Sequence, residues 1–287
     1  MAAGPFRRIL LIGDPRKGGT EDLVGGHAEW LRRHGAEVRV RVDRDDALDV
    51  TDVDAVVVWG GDGSLLAAGR RMGELQRPTL GINRGRLGFL TAFEDEQSEQ
   101  ALASLLAGEL VEEPRLMFDC RIDGAVEGPG RSLGLNDVVV SRAGVGGMII
   151  VRVRRGTAEL GTYRGDGVIA ATAIGSTAYS MAAGGPVVAP DLDALVLTPL
   201  ASHSLSARPI VLPVGDGVDL EVVEVGDAPY AYCVVDGQVQ TRVAVGARIV
   251  LRPAATRFRH LLQSRGQFFE VLAAKFGFAG MARSRRR

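Results

Sequence analysis

Val56-Val57-Val58-Trp59-Gly60-Gly61-Asp62-Gly63-Ser64 is the stretch on which the fold turns. Ala55 to Trp59 is a continuous apolar run of strand length, and it passes at once into glycines and then a helix-like segment, Ser64 to Met72. A strand, a tight glycine turn and a helix in succession open a parallel crossover unit. The alternation extends upstream. Arg8 to Gly13 reads as a buried strand. Thr20 is placed to cap a helix with Glu21 and Asp22 in its first turn and Leu23, Trp30 and Leu31 on one face, and Gly35 stops it. Val38, Val40 and Val42 alternate with charged residues, which is strand period. Downstream, Thr79 to Ile82 reads as a strand and Gln97 to Leu106 as a helix. The pattern predicts a doubly wound, Rossmann-like α/β domain over residues 1–112.

Past Pro114 the texture changes. Val- and Ile-rich segments recur at Val138 to Val140, Met148 to Val153, Val168 to Ala171, Ala194 to Leu197, Val218 to Val225, Ala231 to Val235 and Arg248 to Leu251, separated by Gly, Pro and Asp turns. They predict a β-rich second domain, 113–265. Two segments read as helices instead: Ser176 to Ala183, and Gln267 to Phe276 with Phe268, Phe269, Leu272 and Phe276 on one stripe.

Composition narrows the function classes. Apolar residues make up 46% of the 287, enough for a packed core. With 34 basic against 35 acidic residues the net charge is −1, which gives no electrostatic case for nucleic acid. The one basic cluster, Arg283 to Arg287, reads as a solvated terminus. No apolar run reaches the ~18 residues of a membrane span, and Ile9 to Ile12 is too brief for a signal peptide. A cytoplasmic protein without membrane association is expected. Cys120 and Cys233 fit no metal or redox spacing and read as buried free thiols. Four histidines show no metal-ligand spacing either, so no protein-held metal is expected. Lysine is scarce. Only Lys17 and Lys275 occur, so any chemistry that needs a phosphate-gripping lysine has two candidates.

The glycine turn has the makings of a phosphate cradle. Gly60, Gly61 and Gly63 permit positive φ and close approach of an anion, and the following helix offers its positive end. Asp62 inside such a cradle repels phosphate. It makes sense if its carboxylate accepts a hydrogen bond from a hydroxyl about to be phosphorylated; the alternative is an Asp-Gly turn with Asp62 capping the helix. Rival motifs fail. Gly13 to Thr20 lacks the P-loop lysine, Leu66 stands where a dinucleotide fingerprint needs glycine, and no strand lysine supports a protein kinase.

Gly60-Gly61-Asp62-Gly63 resembles the GGDG loop of NAD kinases, lipid kinases and 6-phosphofructokinases. Four further segments resemble the NAD kinase family in order: Gly81-Ile82-Asn83-Arg84-Gly85-Arg86-Leu87-Gly88-Phe89-Leu90; Leu135-Asn136-Asp137; Gly165-Asp166-Gly167 through Gly175-Ser176-Thr177-Ala178-Tyr179-Ser180 to Gly184-Gly185-Pro186; and Leu197-Thr198-Pro199 with His203 to Pro209, then Asp236-Gly237-Gln238. The resemblance implies the NAD kinase fold, with the terminal segment 266–287 returning to the first domain. It implies substrates, NAD and ATP or another phosphoryl donor, and Mg²⁺ carried by the donor. It also implies roles: Asp62 and Gly63 at the NAD ribose and pyrophosphate, Phe89 near adenine, Asn136 and Asp137 on ribose hydroxyls. Thr177, Ala178 and Tyr179 would line the adenine–ribose pocket, with Ser180 and Ala182 in the same NAD-binding set. Arg164 and Asp166 would reach the nicotinamide across a subunit interface of a homodimer or homotetramer, and Gln238 would close the site.

The sequence departs from the family pattern where Ala173 and Ile174 replace Pro and Thr or Ser, where Asp137 replaces Glu, and where Ser64 and Ser202 replace Thr and Pro. Ile174 removes a hydroxyl, about 0.5–1.5 kcal/mol if it made a neutral hydrogen bond. On this reading Asp62 orients the 2′-hydroxyl and takes its proton late, in a loose transition state. The alternatives are a non-catalytic NAD-binding regulator and a lipid or sugar kinase sharing only the GGDG loop.

Overall fold

The computed structural model describes residues 6–43, 47–85, 88–144, 146–204 and 207–277. Arg86, Leu87, Leu205, Ser206 and the terminal 278–287, including the arginine cluster, lie outside them. The chain divides into two compact units, Met1–Pro114 with Arg259–Arg287, and Arg115–Phe258.

In the first unit β1 (Arg8–Gly13), α1 (Thr20–Arg33), β2 (Glu37–Arg41), β3 (Ala55–Gly60), α2 (Asp62–Arg71), β4 (Thr79–Asn83), β5 (Phe93–Glu94) and α3 (Ser98–Ala107) follow in order. The strands run parallel in the order β2-β1-β3-β4. Every residue of β3 is buried, as its continuous apolar run requires, and Trp59, Leu11, Leu31, Leu80, Ile82 and Leu102 close the core around it. Because the chain leaves β1 toward β2 and leaves β3 toward β4, a crevice opens at the carboxyl ends of β1 and β3. The glycine turn sits there.

Several local expectations are corrected. Gly19, left-handed at φ 70°, caps α1, and the Thr20 hydroxyl instead donates to the carbonyls of Asp14 and Lys17. The buried face of α1 is Thr20, Val24, Ala28 and Leu31, so Leu23 and Trp30 flank it. Edge strand β2 is mostly exposed and ends before Val42. α2 starts two residues early, at Asp62, because the Gly61 carbonyl already accepts from Ser64 and Leu65.

The second unit is antiparallel. β6 (Val111–Glu127) leads into it, followed by β7 (Arg131–Gly134), β8 (Asp137–Arg142), β9 (Ile149–Arg155), β10 (Ala158–Gly165), β11 (Gly167–Thr172), α4 (Tyr179–Ala182), β12 (Ala194–Leu200), β13 (Ile210–Pro213), β14 (Val218–Glu224), β15 (Ala231–Val235) and the long β16 (Val239–Leu262). The main path is β13-β12-β11-β8-β15-β16, with β9 pairing β10 and β14. Val140, Val151, Val168, Leu197, Leu220 and Ile249 fill its core. Cys120 and Cys233, distant in sequence, share that core as free thiols, and the neighbouring Cys120 thiol together with burial pushes the Cys233 thiol well above its ordinary range. Four strands here escaped the sequence reading. β10 is largely exposed and too polar to show a period, β6 contains Pro114 and ends in exposed charged residues, and β7 and β13 are only four residues long. The helix expected over Ser176 to Ala183 is broken: a 3-10 turn, Ile174–Thr177, gives way at Ala178 (φ −95°, ψ −130°) to the single turn α4.

The chain then rejoins the first unit. His260 and Leu261, at the end of β16, pair with Thr79 and Leu80 of β4, and α5 (Gln267–Phe276) follows. Its buried face is Gln267, Phe268 and Val271, so the aromatic stripe expected for it is only partly covered, and Phe269 and Phe276 remain exposed.

Candidate active site

In the first unit the turn after β3 is built by close approach. Gly61 is extended (φ −107°), and neither Gly60 nor Gly63 takes positive φ, which corrects the expected role of the loop glycines. Gly60 is needed for space: a Cβ there would lie 2.2 Å from the Ser64 hydroxyl oxygen. Asp62 opens α2, where the positive helix end favours a carboxylate. It caps nothing in its own helix. Its carboxylate accepts from the N–H of Phe89 at 2.8 Å and from the N–H of Leu90 at 2.9 Å. A carboxylate has about four acceptor positions, so two donors pin it and still leave it able to accept from a hydroxyl. Gly88 makes the arrangement possible, since a Cβ there would lie 2.0 Å from Asp62 Oδ1. The Phe89 ring, half-buried, packs at 6.1 Å from Phe268 and 6.2 Å from Phe276 of α5, with Lys275 Nζ 4.8 Å above it.

In the second unit a cavity of about 380 Å³ opens over the start of β8 and is lined by Asn136, Asp137, Ala178, Tyr179, Asp236 and Gly237 among others. Asp236 organises it. The turn after β15 holds Asp236 at φ 52° and Gly237 at φ 65°. There the buried Asp236 carboxylate accepts from the main-chain N–H groups of Leu135 (3.1 Å), Asn136 (2.7 Å) and Asp137 (3.3 Å). The Asp236 carboxylate is the charge next to Asp137. Burial first, and that neighbouring charge second, push the Asp137 carboxyl up to about 7. Asn136 Oδ1 is buried without a hydrogen-bond partner, an acceptor set for an incoming donor. Gly175 packs against the Asn136 main chain so closely that a Cβ would lie 2.0 Å from its carbonyl oxygen.

The remaining residues separate by position. Tyr179 is 51% exposed on the cavity rim, which excludes a core role. Half-buried Thr177 bonds back to the Ile174 carbonyl (3.1 Å). Ser180 is fully buried and meets the Thr198 hydroxyl at 2.8 Å, while Ala182 is exposed. Gln238, half-buried, closes the turn by donating its N–H to the Val235 carbonyl (2.9 Å). Arg164 and Asp166 lie elsewhere. Asp166 is ion-paired with Arg142 (2.6 Å) at the far end of β8 from Asp137, and the Arg164 side chain is exposed. Ala173 keeps φ −57°, the value proline would impose, and Ile174 is buried. Asp236 was named in sequence only as part of a motif. Its Asp-Gly turn signal was legible, and its reach to residues 135–137 was not. Among the described residues no three His, Cys, Asp or Glu side chains converge as a metal site, and no helix is long and apolar enough to cross a membrane.

Comparison with known proteins gives a consistent set of similarities. Residues 32–110 match the family described as ATP-NAD kinase N-terminal domain, and residues 135–261 the ATP-NAD kinase C-terminal domain. The NAD kinase of Gemmatimonas aurantiaca is 38% identical over 235 residues, 81% of this chain and 80% of that protein. That of Polaromonas naphthalenivorans is 34% identical over 282 residues, 94% of this chain and 96% of that protein. A crystal structure of yeast NADH kinase complexed with NADH shares the fold, with TM-score 0.85 and 21% identity over 98% of this chain and 90% of that one. An NAD kinase from Archaeoglobus fulgidus in complex with ATP superposes with TM-score 0.76 and 26% identity, covering 93% of this chain and 97% of that one.

Proposed function

The chain belongs to the NAD kinase family, and on that premise we propose that it transfers the terminal phosphoryl group of ATP to the 2′-hydroxyl of the adenosine ribose of NAD, yielding NADP and ADP. The 2′-oxygen forms the new bond to the γ-phosphorus, the bond from that phosphorus to the β–γ bridging oxygen breaks, and ADP leaves. The hydroxyl proton passes to Asp62. The observation that carries the reading is the Asp62 carboxylate itself, fixed by two main-chain donors beside a glycine turn and a helix start, with acceptor capacity to spare. A carboxylate is a weak base for a sugar hydroxyl, so its work is first to orient and then to receive the proton late in a loose transition state. Holding the reacting groups in line supplies most of the acceleration.

In the second unit, Asn136 and Asp137 bind ribose hydroxyls, and Thr177, Ala178 and Tyr179 line the adenine side. Ser180 acts as a positioning residue through Thr198, with Ala182 and Gln238 bordering the same pocket. In the first unit Gly63 meets the pyrophosphate and Phe89 lies toward adenine. Arg164 and Asp166, away from the cavity, fit a role toward the nicotinamide of a neighbouring copy in a homodimer or homotetramer. Mg²⁺ enters as part of the donor, a Mg–nucleotide complex, and the protein is expected to work in the cytoplasm.

The test is to incubate the protein with NAD, ATP and Mg²⁺ and to detect NADP with an NADP-specific dehydrogenase. NADP formation is expected. NAD binding without product would replace the reading with a regulator of the same fold.

A further inference from the structure

Lys17 is the cation the described chemistry leaves unused. Four residues past the end of β1, it is half-buried, and its ammonium donates to the Arg84 carbonyl just past the end of β4. Among the described residues that ammonium meets no carboxylate. Both residues line a cavity of about 490 Å³ at the carboxyl edge of the first unit's sheet, together with Asn83, Glu94, Asp95 and Glu96. The cavity adjoins the glycine turn directly: β3 and β4 are in register at Gly60 and Asn83, and the Arg84 N–H donates to the Gly60 carbonyl at 3.0 Å.

Three of the other charged residues in the lining, Arg84, Glu94 and Asp95, have structural employment. Arg84 donates to the Thr20 hydroxyl (2.7 Å) and the Gly18 carbonyl (3.3 Å) and pairs with Asp95 (3.6 Å), tying the β1–α1 loop to the end of β4. Glu94 caps the 3-10 turn that follows it. Asn83, in the same lining, is 2% exposed, and its amide donates to the Gly85 carbonyl while its Oδ1 has no partner. That buried acceptor needs a hydrogen-bond donor, which a polyphosphate oxygen is not; water carried on the Mg²⁺ of a phosphoryl donor would supply one.

We propose that this cavity holds the polyphosphate of the phosphoryl donor, with Lys17 as its charged grip, so that the terminal phosphate reaches the Gly60–Asp62 turn. This rests on the kinase reading above. An ammonium without a carboxylate partner, beside the start of α1 and next to the turn where transfer occurs, attracts phosphate oxygens. The carboxylates in the lining disfavour a bare polyanion and suit one whose charge is partly neutralised by its own Mg²⁺. Among the described residues no three carboxylates converge as a metal site, and the metal is taken to arrive with the donor.

Lys17→Gln and Lys17→Arg provide the test. Glutamine keeps an N–H for the Arg84 carbonyl and removes the charge, whereas arginine restores it. Steady-state NADP formation is expected to show the ATP KM of the glutamine variant raised about ten- to hundredfold. Its NAD KM should stay within about twofold, and the arginine variant should recover most of the loss. Calorimetric binding of magnesium tripolyphosphate, which needs no turnover, should weaken by the same factor. An unchanged ATP KM and unchanged tripolyphosphate binding would overturn the assignment, as would equal rises in the KM of both substrates. Wild type that binds tripolyphosphate in a Lys17-dependent way and yet makes no NADP would sink the kinase reading and leave the polyphosphate site standing.

Discussion

Asp62 accepts from the N–H groups of Phe89 and Leu90, one at each oxygen. An asparagine there turns an NH2 toward one of those donors. Asp62→Asn is therefore expected to cost about 1–3 kcal/mol in urea unfolding. Turnover should fall by several orders of magnitude while NAD still binds, as followed by titration; full activity would reject the role. Gly88→Ala tests the same carboxylate from outside. The new Cβ would stand 2.0 Å from Asp62 Oδ1, so the carboxylate or the backbone that carries residue 88 must shift. Displacement of a reacting group by about 1 Å costs on the order of 10²-fold. kcat should drop to that extent with the far-ultraviolet circular dichroism unchanged.

Among the elements, the segment joining β11 to α4 shows how a departure from the family pattern is tolerated. Thr172 ends β11 in extended conformation, Ala173 follows at φ −57°, and the 3-10 turn begins at Ile174. Those are conditions proline accepts: a fitting φ and a preceding residue in the β region. Ala173→Pro is expected to stabilise by about 0.4–1 kcal/mol, chiefly by restricting the unfolded chain. A calorimetric melting temperature that falls would show that the Ala173 N–H or its packing matters more. The break at Ala178 that splits the expected helix exposes Tyr179 on the cavity rim and buries Ser180 beneath it. Apolar spacing shows nothing of such a break, because Ala178 carries no breaker side chain.

Across the whole molecule, stability should respond to pH through Asp137. Its carboxyl, at about 7 in the fold against an ordinary 3.8, holds a proton that the unfolded chain has already released between those values. Stability therefore falls as pH rises through that window and is lowest above about 7, by an amount on the order of a few kcal/mol. Asp137→Asn should flatten the slope between urea titrations run at about pH 5 and about pH 8. A slope equal to wild type would assign the proton elsewhere. At the acid end Asp54 works the other way: the Arg8 guanidinium holds it at about 2, and its contribution is lost as pH falls below the usual carboxylate range. The sequence alone determined the alternation of β1 to β4 with their helices, the β-rich second half, and the chemical identity of Asp62, Asn136 and Asp137, because burial periodicity and glycine turns are written in local order. Tertiary structure alone decided that Asp62 meets residues 89 and 90, that Asp236 anchors residues 135–137, and that Lys17 stands beside Arg84. Those contacts join residues far apart along the chain, and a carboxylate or an ammonium finds its partner only when strand pairing has brought it within hydrogen-bond reach.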